Sequence, residues 1–216
     1  MKKANKESIV LAKHIHTFLS VYAPAQKTQS EHTLKSYSYA ISLYINFLQK
    51  EKNVTPEKLC ADNFDRKTIE EWLCWLANTR SCSSATCNNR LAYLRVFLEY
   101  LGDKDISMLH IYESASRIKR KKEPHRKISG MSKEAVQALM TVPDTSTITG
   151  RRDLALIVTI YGTAARIDEV LSMKIGQLRL DAPKPYVTVI GKRNKIRTLY
   201  LLPKAVVDFT PIGAHS

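Results

Sequence analysis

The first 101 residues contain no glycine; the first of the chain's seven is Gly102. No glycine-rich phosphate loop can therefore exist in the N-terminal half, and the stretch argues for helices. The apolar residues agree. Leu11, Ile15, Phe18, Leu19 and Tyr22 recur at helical spacing, as do Tyr37, Ile41, Tyr44, Ile45 and Leu48. A third helix is expected from the N-cap Asp65 through Ile69, Trp72, Leu73 and Leu76. A fourth begins at about Ala85, carries Leu91, Leu94, Leu98 and Leu101 on one face, and is expected to stop at Gly102. Thr55-Pro56-Glu57 reads as the start of a short helix, with proline at the first helical position. Four main helices joined by short loops predict a bundle over residues 1–110.

The pattern of a core face is then lost. Residues 117–127 hold seven Lys or Arg against one acid, and Pro124 would break any helix, so 111–130 is expected to be an exposed basic linker. A second domain over 131–216 opens with Ser132 as an N-cap and a helix to about Val142. Apolar helical stretches follow over 151–162 and 166–173. The period then changes: 185–190 and 196–201 are rich in β-branched and aromatic residues and flank a tip at 191–195, which predicts a β-hairpin.

Several classes fall away. The longest apolar run without a charge, 154–165, is too short to span a bilayer, and the basic N-terminus lacks the apolar core of a signal peptide. The four cysteines form no Cys-x-x-Cys pair and have no nearby histidine pair, which argues against zinc and against a disulfide scaffold. A reduced, cytoplasmic setting is the default expectation. The net charge of +14 is unevenly spread: +4 over residues 1–110 and +10 over 111–216. Most of the excess lies in 117–127 and in Lys192, Arg193, Lys195 and Arg197 at the hairpin. Concentrated positive charge attracts a polyanion, and neutralised phosphates release counterions, so nucleic acid is the expected partner. No helix pairs a basic face with an exposed apolar one, which argues against a membrane surface.

Two stretches sharpen this reading. Residues 152–171 run Arg-Asp, an apolar helix, the turn Tyr161-Gly-Thr-Ala-Ala-Arg166, and then Ile-Asp-Glu-Val-Leu. This resembles the first catalytic box of the tyrosine recombinases, the phage integrase family. Val189-Ile-Gly-Lys-Arg-Asn-Lys-Ile-Arg197 is similar to that family's Gly-Lys-x-x-Lys-x-Arg β-turn, in the family's order. Thr33-Leu-Lys-Ser-Tyr37 and the helix from Thr86 to Leu101 resemble its helical core-binding domain. The resemblance implies a mainly α fold: a SAM-like four-helix core-binding bundle, then an incomplete α+β catalytic domain with a small β-hairpin.

The family cuts double-stranded DNA by attack of a tyrosine hydroxyl on a phosphodiester, and rejoins it by the reverse attack of a DNA hydroxyl. The resemblance makes Arg166 the phosphate clamp, since a guanidinium fork donates two hydrogen bonds and keeps its charge. It makes Lys192 the general acid for the leaving oxygen, with Lys195 as a rival. Glu169 is placed to orient Arg166. Arg193, Lys195 and Arg197 are expected to touch phosphates. Lys35, Tyr37, Arg90 and Arg95 are candidate DNA contacts by position, and Arg117, Lys119, Arg120 and Lys121 would cross the DNA backbone where two domains clamp the duplex. No metal or other cofactor is implied. Full-length relatives act as four subunits on two sites.

The sequence also departs from the pattern. Ala164 and Ala165 stand in place of Gly-Leu, and Tyr200 in place of proline. After Lys192 there is one histidine, His215, one tyrosine, Tyr200, and no arginine beyond Arg197, so neither a His-x-x-Arg box nor a helical tyrosine follows. The expectation is a C-terminally truncated integrase-type protein of a mobile element that binds DNA without completing strand exchange. The alternative is a DNA-binding module that competes or regulates at recombination sites.

Overall fold

A computed structural model describes residues 5–123, 129–191 and 195–201. It divides into two compact units, residues 1–126 and 127–216.

Unit 1 is helical. Helix α1 (Lys6–Thr17) continues into a wider π-wound stretch, Phe18–Lys27, and is followed by α2 (Glu31–Lys52), α3 (Arg66–Asn78), α4 (Ser84–Lys104) and α5 (Leu109–Ser116). The starts are set by side-chain caps: Asp65 accepts the Thr68 N–H at 2.8 Å, and Ser83 accepts that of Thr86 at 3.2 Å. Helix α4 packs against α2, α3 and α5, and the core gathers around it. Trp72, Tyr44, Tyr100, Phe18, Phe64 and Phe97 are all fully buried. Tyr44 stacks on Phe64, meets Trp72 edge-on, and donates its hydroxyl to the Asn63 carbonyl at 2.6 Å. Burial raises the pKa of its phenol above the ordinary value.

Two expectations need correcting here. Gly102 does not end α4; the helix continues to Lys104. A Cβ at Gly102 would lie 3.2 Å from the Cα of Leu109, so glycine serves the close approach of α5. The first part of the linker expected over 111–130 is packed on unit 1: Ile111, Ala115 and Ile118 are buried in the unit 1 core and Asn88 accepts the Lys121 N–H, while Arg117, Lys119, Arg120 and Lys122 are exposed. Residues 124–128 of it lie outside the described residues.

Unit 2 contains α6 (Lys133–Met140), α7 (Ile148–Thr163) and α8 (Ile167–Leu171), then a three-stranded antiparallel sheet, β1 (Leu178–Arg179), β2 (Tyr186–Gly191) and β3 (Lys195–Tyr200), in that spatial order. The expected hairpin is β2–β3, with Val187 opposite Leu199 and Gly191 opposite Lys195. Alternation places Val187 and Val189 on the buried face, where Ala165, Val170, Leu199 and Leu201 complete a small core. An open groove of about 600 Å³, lined chiefly by apolar side chains of α7, α8 and β1, lies beside it. No helix among the described residues is long and apolar enough to cross a membrane.

Helix α7 ends at Ala164, whose φ of 50° lies in the left-handed region. That backbone is unfavourable for a residue with a Cβ. Replacing Ala164 with glycine is expected to stabilise unit 2 by about 0.5–1 kcal/mol, after the greater unfolded-state freedom of glycine is set against the relieved strain. The check is urea denaturation with hydrogen exchange followed over α7 and α8. An unchanged or lower midpoint would show that the turn is unstrained.

Candidate nucleic-acid interface

In unit 2 the sequence-marked residues converge on a carboxylate. Arg166 occupies the N-cap position before α8, and Glu169 sits three residues later, where its side chain can reach back. Glu169 Oε2 accepts the Arg166 backbone N–H at 3.0 Å, and Oε1 accepts the Arg166 guanidinium at 2.9 Å. The Arg197 guanidinium, on β3, also donates to Oε1, at 3.3 Å. The carboxylate is 4% exposed, while the Arg166 and Arg197 side chains remain 64% and 38% exposed. The acid is therefore a buried anchor, and the two arginines keep donor surface toward solvent. The Arg166 backbone N–H foremost, then the two guanidiniums, holds the Glu169 carboxyl below its usual pKa against the opposing effect of burial.

Gly191 closes the arrangement. A Cβ there would lie 2.9 Å from Glu169 Oε1, so glycine lets the end of β2 lie against the carboxylate without displacing it. The end of β2 is thereby brought beside Arg197 as well. Lys192 and Arg193 lie outside the described residues. Lys195 begins β3 and is exposed.

In unit 1 the candidate contacts fare differently. Lys35 is exposed on α2 and pairs with Glu31 at 3.8 Å, a solvated surface pair of little energetic weight. Tyr37 is 7% exposed and packs edge-on against Phe18 and Tyr93; its place is in the core, a correction to its reading as a DNA contact. Arg95 is also committed internally. It donates to the carbonyls of Ala115 and Ile118, which satisfies the C-terminal end of α5. Arg90 lies over the ring of Tyr39, 4.2 Å from its centroid. Arg117, Lys119 and Arg120 are exposed around the buried Ile118.

Lys121 is held by a residue that sequence reasoning missed. Asn88, 3% exposed in α4, accepts the Lys121 N–H at 2.8 Å and donates to the Lys121 carbonyl at 2.9 Å and the Glu123 carboxylate at 2.7 Å. The Lys121 ammonium donates to the Leu73 carbonyl at 3.3 Å. The available signal was an asparagine inside an otherwise regular helix, where it is a poor former and needs side-chain partners. Among the described residues no group of three or more His, Cys, Asp or Glu side chains comes together to hold a metal.

Residues 22–108 match the phage integrase, N-terminal SAM-like domain. A putative integrase/recombinase of Sinorhizobium fredii is 26% identical, covering 89% of this chain and 69% of the relative. The tyrosine recombinase XerC of Pelotomaculum thermopropionicum is 29% identical, covering 89% and 61%. Among solved structures, the XerH site-specific recombinase bound to palindromic difH substrate has a TM-score of 0.60 at 20% identity, over 81% of this chain and 50% of that one. The Tn1549 transposon integrase, in complex with a circular intermediate DNA, has a TM-score of 0.64 at 10% identity, over 94% and 65%. These two likenesses concern the fold. This chain spans 50% to 69% of the length of these four proteins. Residues 22–108 thus match a phage integrase N-terminal domain, and 89% of the chain is similar to proteins named integrase/recombinase and tyrosine recombinase.

Proposed function

We propose that this chain binds double-stranded DNA and carries the phosphate-clamping part of a site-specific recombinase active site. The observation that carries the reading is the buried Glu169 carboxylate, which holds Arg166 and Arg197 side by side against the end of β2. Two fixed guanidiniums with solvent-facing donors suit the non-bridging oxygens of a phosphodiester, where negative charge grows during transfer. Lys192, the next residue after Gly191, is assigned the proton for the leaving oxygen, with Lys195 as the rival. The basic residues 117–122 are assigned to the DNA backbone, between a core-binding domain and a catalytic domain.

The test uses intact duplexes bearing the termini of candidate mobile elements. The expected result is a retarded complex whose affinity falls steeply with salt. Failure to bind any duplex at low salt would overturn the DNA-binding reading.

A further inference from the structure

We propose that Tyr39 is a positioning residue, whose ring holds the Arg90 guanidinium on the α2–α4 surface as a contact for a phosphate of duplex DNA. The inference rests on the DNA-binding reading above and adds to it a residue that no motif marks. Tyr39 lies on α2 and is 47% exposed, a large ring left at the surface. Arg90 lies on α4, which packs against α2, and its guanidinium carbon sits 4.2 Å from the ring centroid, well within cation–π range. Lys35, one helical turn before Tyr39, adds a second exposed positive charge to the same face of α2.

The contrast with Arg95 gives the pair its meaning. Both arginines project from α4, five residues apart. Arg95 is consumed by the carbonyls that end α5. Arg90 has no carboxylate or carbonyl partner among the described residues, and its Nε is buried without an acceptor there. A carboxylate in place of Tyr39 would have fixed the guanidinium and cancelled its charge. An aromatic ring fixes it and leaves the charge in place. With one face against the ring, the guanidinium donates from its edge, in the plane that suits a phosphate oxygen. Holding the side chain in advance also reduces the ordering cost when a ligand binds.

The test measures binding of a labelled duplex of arbitrary sequence by fluorescence anisotropy, over roughly 50 to 200 mM salt. Tyr39→Phe keeps the ring and is expected to bind as the unaltered chain does. Tyr39→Leu keeps apolar bulk without a π face and is expected to weaken binding about two- to fivefold, with the salt slope unchanged. Arg90→Ala is expected to weaken it further and to reduce the slope by about 0.9, the loss of one phosphate contact, equally for unrelated sequences. Circular dichroism and melting of Tyr39→Leu separate these effects from misfolding. Full-strength binding by a folded Tyr39→Leu would overturn the positioning role. An unchanged slope in Arg90→Ala, or a loss confined to one sequence, would overturn the phosphate contact. If the unaltered chain bound no duplex at all, the DNA-binding reading itself would fail instead.

Discussion

Replacing Asn88 with alanine is expected to destabilise unit 1 by about 2 kcal/mol and to release the segment 119–123 from its surface. The side chain makes three hydrogen bonds, two to the backbone of Lys121 and one to Glu123, each worth about 0.5–1.5 kcal/mol net. Those partners are only partly buried, so water can replace some of what is lost. Against a total stability of about 5–15 kcal/mol this is a substantial fraction. Release should begin after Ile118, which is 5% exposed and stays anchored in the core. Asn88→Asp sharpens the test. It keeps an acceptor for the Lys121 N–H but turns a carboxylate toward the Lys121 carbonyl and the Glu123 carboxylate, so it should be worse than alanine at neutral pH. Urea denaturation measures the first effect, and hydrogen exchange at the Lys121 amide the second. An amide as protected in Asn88→Ala as in the unaltered chain would show that the clamp does not hold the segment.

The basic stretch shows where sequence reading succeeds and where it stops. Charge is a local property, so the excess at 117–122 was legible from counting residues. Whether that stretch hangs free depends on three residues: Ile111, Ala115 and Ile118 are too few and too short a run to declare a helix against the charges around them. What fixes them is tertiary, namely the carbonyls capped by Arg95 and the backbone clamped by Asn88. Gly102 is a similar case. A glycine at the end of a helical pattern signals a stop, but the same residue also serves close packing, and only the position of Leu109 distinguishes the two. Helices α2, α3 and α4 were legible because each carries a strong apolar stripe and two carry good caps. Tyr37 had such a stripe position too, and burial decided its role over its neighbours in the motif.

In unit 2 the motif located Arg166 and Glu169, because a three-residue spacing at a helix start puts them in contact by geometry alone. It could not show that Arg197, 28 residues after Glu169, reaches the same carboxylate. That contact comes from the register of the hairpin, in which Val189 lies opposite Arg197 and Gly191 opposite Lys195. The site is thus assembled from one local pair and one strand pairing, and the Glu169 carboxylate is common to both.

Replacing Glu169 with glutamine is therefore expected to have the largest effect in unit 2. Both carboxylate oxygens face only donors: Oε2 the Arg166 N–H, and Oε1 two guanidiniums. Glutamine must turn its NH₂ toward one of these sets, so a donor meets a donor whichever way the amide lies. Two guanidiniums also lose their common counter-charge. The expected result at neutral pH is a fall in the melting temperature of unit 2 on the order of 5 °C or more, with faster exchange across α8 and β3. The pH dependence gives a second reading. The Glu169 carboxyl is held below its usual 4.5, chiefly by the Arg166 backbone N–H. Its contribution to stability is then fully present above that value and lost as the pH falls through the lower, folded-state pKa. The gap between the unaltered chain and Glu169→Gln should accordingly be wide at neutral pH and close in acid. Asp144 and Glu134, whose pKa values are lowered by neighbouring Ser146 and by the Glu134 N–H respectively, titrate in the same region. They are present in both proteins, so their effect cancels in the difference. A gap that persisted undiminished below the carboxylate range would mean that Glu169 acts through shape alone and does not hold the two arginines by its charge.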